Sequence, residues 1–143
     1  MTTTASVPRS PAPVADCDVR WPAAGRFLDA LVRRDFVALA GCLQPDARLR
    51  ALVPHGPFEE TGPADVVERF RRWFSGDDAF EVVAASIGQV GPRLSLRWRV
   101  RMRVTDEPAV TRVVEQHAFA VVGERVASLD LLCSGFQTTE VDS

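Results

Sequence analysis

Residues 93–104 read RLSLRWRVRMRV, and no other stretch leaves the chain so little conformational freedom. Arginine holds five of the six odd positions from Arg93 to Arg103, with Ser95 the exception, while Leu94, Leu96, Trp98, Val100, Met102 and Val104 hold the even ones. A period of two suits a β-strand, whose successive side chains leave opposite faces. One face meets water or a partner, and the other, with Trp98 and Met102, has to be buried. A domain containing this strand is therefore built on a sheet with one apolar face that other elements must cover.

Upstream segments supply that cover. Ala24, Phe27, Leu28, Leu31 and Val32 recur at helical spacing and predict a helix from Pro22, a favoured first-turn residue, to about Arg34. Asp35 is placed to cap a short second helix through Leu43, which Pro45 prevents from continuing. ARLRALV (47–53), the turn-rich PHGP (54–57) and FEET (58–61) read as a hairpin. Thr61-Gly62-Pro63 then opens a third helix, with Asp65 in its first turn and Val66, Val67, Phe70, Trp73 and Phe74 as its buried stripe. Ser-Gly-Asp-Asp (75–78) ends it.

Strands follow over about 79–90, 93–104, 110–122 and 125–136, with turns at Gly91-Pro92, Asp106-Glu107-Pro108 and Gly123-Glu124. Helices first and strands last predict an α+β domain, a curved antiparallel sheet wrapped around three N-terminal helices. The opening MTTTASVPRSPAPVA lacks a charged n-region and an apolar h-region and reads as a disordered tail rather than a signal peptide. The expected division is a tail over 1–17, one domain over 18–138 and a short tail over 139–143.

Composition narrows the partners. Net charge is −2, so the arginine strand sits in a balanced chain, against a dedicated nucleic-acid binder. The arginines are expected on the outer side of the sheet, paired with acids such as Asp130 and Glu81 or lying in a subunit interface. No apolar run approaches membrane-spanning length. Cys17, Cys42 and Cys133 form no CxxC pair and imply reduced thiols in a cytoplasmic protein. With two histidines, His55 and His117, and no HExxH, GxGxxG, Walker or GxSxG motif, neither a metal nor a cofactor is expected.

Chemistry is sought on TRVVEQHAFAVV (111–122). Val113, Glu115, His117, Phe119 and Val121 share the bulkier face, which is assigned inward. That puts Glu115 and His117 side by side in an apolar interior, a pair suited to general acid–base catalysis. Two plainer arrangements stay open: a buried Glu115 that simply bonds His117, or both groups on the surface beside the arginine row. Phe27, Trp73, Trp98 and Met102 are expected to shape a pocket, with Leu31, Phe58, Phe70, Phe119, Leu129 and Cys133 among its walls. His55, at the tip of the hairpin, can reach over the pocket mouth.

Taken together, FLDALVRRDFVALAGCLQPDARLRAL, GPFEETGPADVVERFRRWF and VVEQHAFAVVGERVASLDLLCSGF resemble the NTF2-like superfamily, specifically its bacterial SnoaL-like members, over about residues 20–137. The resemblance implies a cone-shaped α+β barrel that dimerises through its outer sheet face and encloses a pocket between helices and inner face. No membrane association is expected, since the chain has no apolar run of spanning length. Relatives of this fold include ketosteroid isomerases, polyketide cyclases and epoxide hydrolases, as well as binding modules. Projected onto this chain, the isomerase base falls near Ala51, its tyrosine donor near Phe27 and its second acid near Glu115. The cyclase acid–base region falls on Leu129 and Leu131, and the epoxide hydrolase set would need Arg99, Arg101 and Asp130 turned inward. The function implied is a cofactor-independent isomerase or cyclase of secondary metabolism, acting on a hydrophobic polyketide- or terpenoid-like molecule through Glu115 and His117. The alternative is a non-catalytic dimeric module that binds a small ligand or a partner protein.

Overall fold

A computed structural model of the chain describes residues 12–75, 79–103 and 110–140. Residues 1–11 of the expected tail over 1–17, residues 141–143 of that over 139–143, and the Asp106-Glu107-Pro108 turn lie outside the described residues, while 12–17 belong to a helix and 139–140 to a strand. Helix α1 spans Ala12–Val32, α2 Phe36–Gly41 and α3 Pro63–Phe74. The strands are β1 (Leu43–Val53), β2 (Gly56–Thr61), β3 (Ala79–Val90), β4 (Arg93–Arg103), β5 (Val110–Val122), β6 (Val126–Cys133) and β7 (Gln137–Glu140).

Helix α1 begins at Ala12, within the segment expected as a tail, and carries Pro22 in its interior rather than at its start. Proline fits a helix start because it lacks an N–H, but that preference does not fix where a helix begins. The α2 prediction holds closely: Asp35 accepts the Ala38 N–H at 3.0 Å, capping the helix as its side chain allows. Pro45 does not end α2. It lies inside β1, which starts two residues earlier at Leu43.

The strands form one curved, open sheet in the order β2-β1-β6-β5-β4-β3, with β7 paired to β5. The sheet is mixed rather than antiparallel, because β1 runs parallel to β6. That pairing joins the early hairpin to the late meander: β1 is separated in sequence from β6 by a helix and four strands, so no tight turn dictates its direction.

On β4 the burial pattern follows the sequence. Leu94, Leu96, Trp98, Val100 and Met102 are buried and the arginines exposed. The inner face packs on α1 and α3, where Phe27 lies 6.1 Å from Trp98 and 5.9 Å from Phe70 between ring centroids. Both separations fall in the range in which aromatic pairs attract. The centre of the cone is thus a solid core: Phe27, Leu31, Phe70, Trp98 and Leu129 are almost wholly inaccessible.

Candidate functional site

A break in the last strand creates the site. Strand β6 runs beside β5 from Gln116 to Val122, and after Ser134–Phe136 the chain returns to the same edge as β7, beside Val110–Val113. Gly135 takes φ 82°, a conformation that glycine adopts without a Cβ penalty. A Cβ there would also stand 2.6 Å from Pro54 Cγ, so the β1–β2 turn presses directly on the break. Ser134 bridges the interrupted ladder: its hydroxyl accepts the Glu115 N–H and its own N–H donates to the Glu115 carbonyl, both at 2.9 Å.

Between this break, the hairpin turn and α3 lies a cavity of about 750 Å³ at the mouth of the cone. Pro54, His55, Pro57 and Phe58 line it from the hairpin, Arg69 and Trp73 from α3, and residues 133–137 from the break. The Phe58 and Trp73 rings meet at a tilt, 6.1 Å between centroids. Arg69 is held by Glu60 at 2.8 Å, and its guanidinium lies 4.2 Å from the centre of the Phe58 ring. The walls are mainly apolar with a few polar groups, the pattern of a small-molecule pocket.

A polar thread joins the core to this cavity. Gln116 is fully buried; its Oε1 accepts the Trp98 indole N–H at 2.8 Å, and its Nε2 donates to Cys133 Sγ at 3.3 Å. The Gly135 N–H donates to the same sulfur at 3.4 Å. The Trp98 bond fixes which way the amide points, and Cys133 presents the end of the thread to the cavity.

Of the predicted pocket residues, His55, Phe58, Trp73 and Cys133 come together at the mouth. Phe27, Leu31, Phe70, Trp98, Met102 and Leu129 belong instead to the packed core. The inward assignment of Glu115, His117 and Phe119 is overturned. The buried side of β5 is Val114, Gln116, Ala118, Ala120 and Val122. Ala118 and Ala120 are small where Leu96 and Leu94 of β4 fill the space opposite them, and Gln116 lies opposite Trp98.

Glu115 therefore stands on the outer face, 3.0 Å from Arg99 and 3.8 Å from Arg97. His117 Nε2 lies 2.6 Å from Ser95 Oγ, and its ring lies tilted against Phe119, 4.6 Å between centroids. Phe119 lines an outer cleft rather than the interior. The premise of a buried acid–base pair goes with this orientation.

The outer arginines behave as expected. Arg101 pairs with Glu81 at 2.8 Å, while Asp130 receives Arg50 at 2.8 Å and Arg93 at 3.0 Å. The hydrogen bond from Arg50, reinforced by its charge and by Arg93, holds the Asp130 carboxyl below the usual carboxylate range despite partial burial. Burial pushes the Cys42 thiol up. Among the described residues no three His, Cys, Asp or Glu side chains cluster as metal ligands, and no helix is long and apolar enough to cross a membrane.

Arg69, Gln116, Gly135 and Phe136 were not singled out by the sequence. Cys-Ser-Gly-Phe (133–136) carried a usable signal, since a glycine inside a strand pattern marks a bulge or close backbone approach.

The model of the SnoaL-like domain matches residues 24–129. A candidate ketosteroid isomerase from Kribbella flavida shares the fold at 23% identity, over 82% of this chain and 78% of its own, with a TM-score of 0.54. An LEH-like epoxide hydrolase from M. tuberculosis does so at 18% identity, over 84% and 85%, with a TM-score of 0.60. A candidate polyketide cyclase from Xanthomonas campestris pv. campestris does so at 20% identity, over 80% and 91%, with a TM-score of 0.59. A search among curated proteins returns no match. With the family model covering most of its length, the chain belongs to the SnoaL-like domain family of NTF2-like folds.

Proposed function

We propose that the protein takes a mainly apolar small molecule, of polyketide- or terpenoid-like character, into the mouth cavity and rearranges it as a cofactor-independent isomerase or cyclase. His55 is the proton-carrying group. The observation that carries this reading is the position of His55 on the rim of a cavity walled by Phe58, Trp73 and Phe136. An imidazole is the side chain that most readily gives and takes protons near neutral pH. Family membership supports the reading, since similar folds include a candidate ketosteroid isomerase and a candidate polyketide cyclase.

The test is a panel of aromatic polyketide-like and terpenoid-like compounds. A compound that fits raises the melting temperature and protects Cys133 from N-ethylmaleimide. Product analysis then compares wild type with His55→Ala. Conversion lost in the variant while binding is retained supports the assignment; equal conversion in both removes His55 from the chemistry.

A second reading, a non-catalytic binding module, is favoured by one observation. The inward position on β5 that faces Trp98 holds an amide, Gln116, rather than a carboxyl. In that case the same compounds bind and are recovered unchanged. Under either reading the protein acts in the cytoplasm as a homodimer joined through the outer face of the sheet, without nucleic acid. Sedimentation tests the dimer directly.

A further inference from the structure

The outer face carries a second concavity, of about 680 Å³, whose walls include Arg50, Leu52, Pro57, Phe119, Asp130 and Leu132. Leu52 and Leu132 pair in register across β1 and β6, and each is 50% exposed. Apolar surface gathered at the centre of a charged sheet marks an interaction site.

The charge pattern selects the occupant. A two-fold contact brings a patch against its own copy, so the patch must carry both signs. Around the cleft it does: Arg48 pairs with Glu59 at 3.4 Å, and Arg50 and Arg93 with Asp130. From Arg97 to Arg103 positive charge is in larger excess: Arg97 and Arg99 share Glu115, Arg101 has Glu81, and Arg103 forms no ion pair among the described residues. The more nearly balanced cleft is therefore the better seat for a second copy.

The cleft and the mouth cavity share a wall. Pro57 and Phe58 line both. They lie on β2, an edge strand hydrogen-bonded to β1 alone, and Arg69 covers Phe58 from the α3 side. An edge strand held from one side moves more easily than a central one, and the shared wall gives occupation of the cleft a physical route to the cavity.

We propose that a second copy of this chain seats in the outer cleft and thereby fixes the Pro57–Phe58 wall, so that access to the mouth cavity depends on assembly. The inference rests on the mouth cavity being the ligand site. Cys133 is the reporter, since it lines the mouth cavity and not the cleft.

The experiment measures the rate at which N-ethylmaleimide modifies Cys133, by peptide mass spectrometry, alongside sedimentation. Wild type is diluted through its assembly range, and Leu52→Asp and Leu132→Asp are measured beside it. Wild type is expected to dimerise and both variants to remain folded monomers. Cys133 should react about fivefold more slowly, or slower still, in the dimer, the lower end of ordinary site-to-site coupling. If either variant fails to fold, the other and the dilution series still decide. A monomeric wild type, variants that still dimerise, or a Cys133 rate indifferent to assembly each overturn the proposal. A rate that follows assembly while no apolar compound ever protects Cys133 supports the coupling and contradicts the ligand reading alone.

Discussion

Arg99 and Glu115 face each other across neighbouring strands, Nη2 to Oε1 3.0 Å, on the outer side of the sheet. Both side chains are well exposed, so the pair contributes about 0–1 kcal/mol after screening. Glu115→Gln should therefore shift the unfolding midpoint by little and leave binding at the mouth cavity unchanged. Urea unfolding together with ligand-induced thermal shifts checks both. A loss of ligand binding in this variant would return Glu115 to the site.

Gln116 behaves oppositely because it is buried. Gln116→Leu leaves the Trp98 indole N–H without its acceptor, at a cost of about 1–3 kcal/mol. Gln116→Glu gives a pH signature. A carboxyl buried there has a folded-state pKa above its unfolded value of about 4.3. Above that value the unfolded chain releases a proton that the folded chain retains, so stability falls as pH rises. Urea unfolding of this variant from acid to mildly alkaline pH should show it close to wild type in acid and progressively weaker toward neutrality. A flat difference would mean that the carboxyl has escaped to water.

Asp130 titrates in the reverse sense. Its folded-state pKa is depressed by Arg50 and Arg93, so its contribution is present above the unfolded value of about 3.9 and is lost as pH falls through the lower folded value. Asp130→Asn should be less stable than wild type at neutral pH, with the gap closing in strong acid. Paired unfolding curves across that range test it, and a gap independent of pH would remove the electrostatic explanation.

These two faces explain what the sequence could reveal. On β4 arginine and apolar residues alternate, so burial was legible from residue type alone. On β5 both faces are partly apolar, and side-chain bulk pointed the wrong way. Two inner residues, Ala118 and Ala120, are small because Leu96 and Leu94 of the neighbouring strand occupy the space beside them, and the third, Gln116, is a polar residue that the pattern did not mark as buried. Pairing would have resolved it: opposite charges prefer directly opposed cross-strand positions, and Arg99 opposes Glu115. Helices α2 and α3 and the hairpin followed from periodicity and turn chemistry, whereas the start of α1 at Ala12 did not. The parallel β1–β6 pairing did not, since nothing local to either strand specifies a distant partner. At the mouth, His55 and Cys133 were anticipated, whereas their proximity depends on how the hairpin turn meets the β6–β7 break.

That meeting is itself testable. Gly135→Ala combines a positive φ of 82° with a Cβ 2.6 Å from Pro54 Cγ. The variant should lose about 1–3 kcal/mol in urea unfolding. It should also weaken ligand binding, because the turn that carries His55 is displaced. Unchanged stability would show that Pro54 and the break are not in close contact.

On the proposed function, ligand enters the mouth cavity rather than the packed core or the outer cleft. The most direct measurement is an NMR titration of the labelled protein with an apolar compound that raises its melting temperature. Shifts are expected to concentrate at the Trp73 indole and the amides of residues 133–137, with those of Leu52, Leu132 and Phe119 changing far less. Shifts centred on Leu52, Leu132 and Phe119, with Trp73 and Cys133 unmoved, would contradict it.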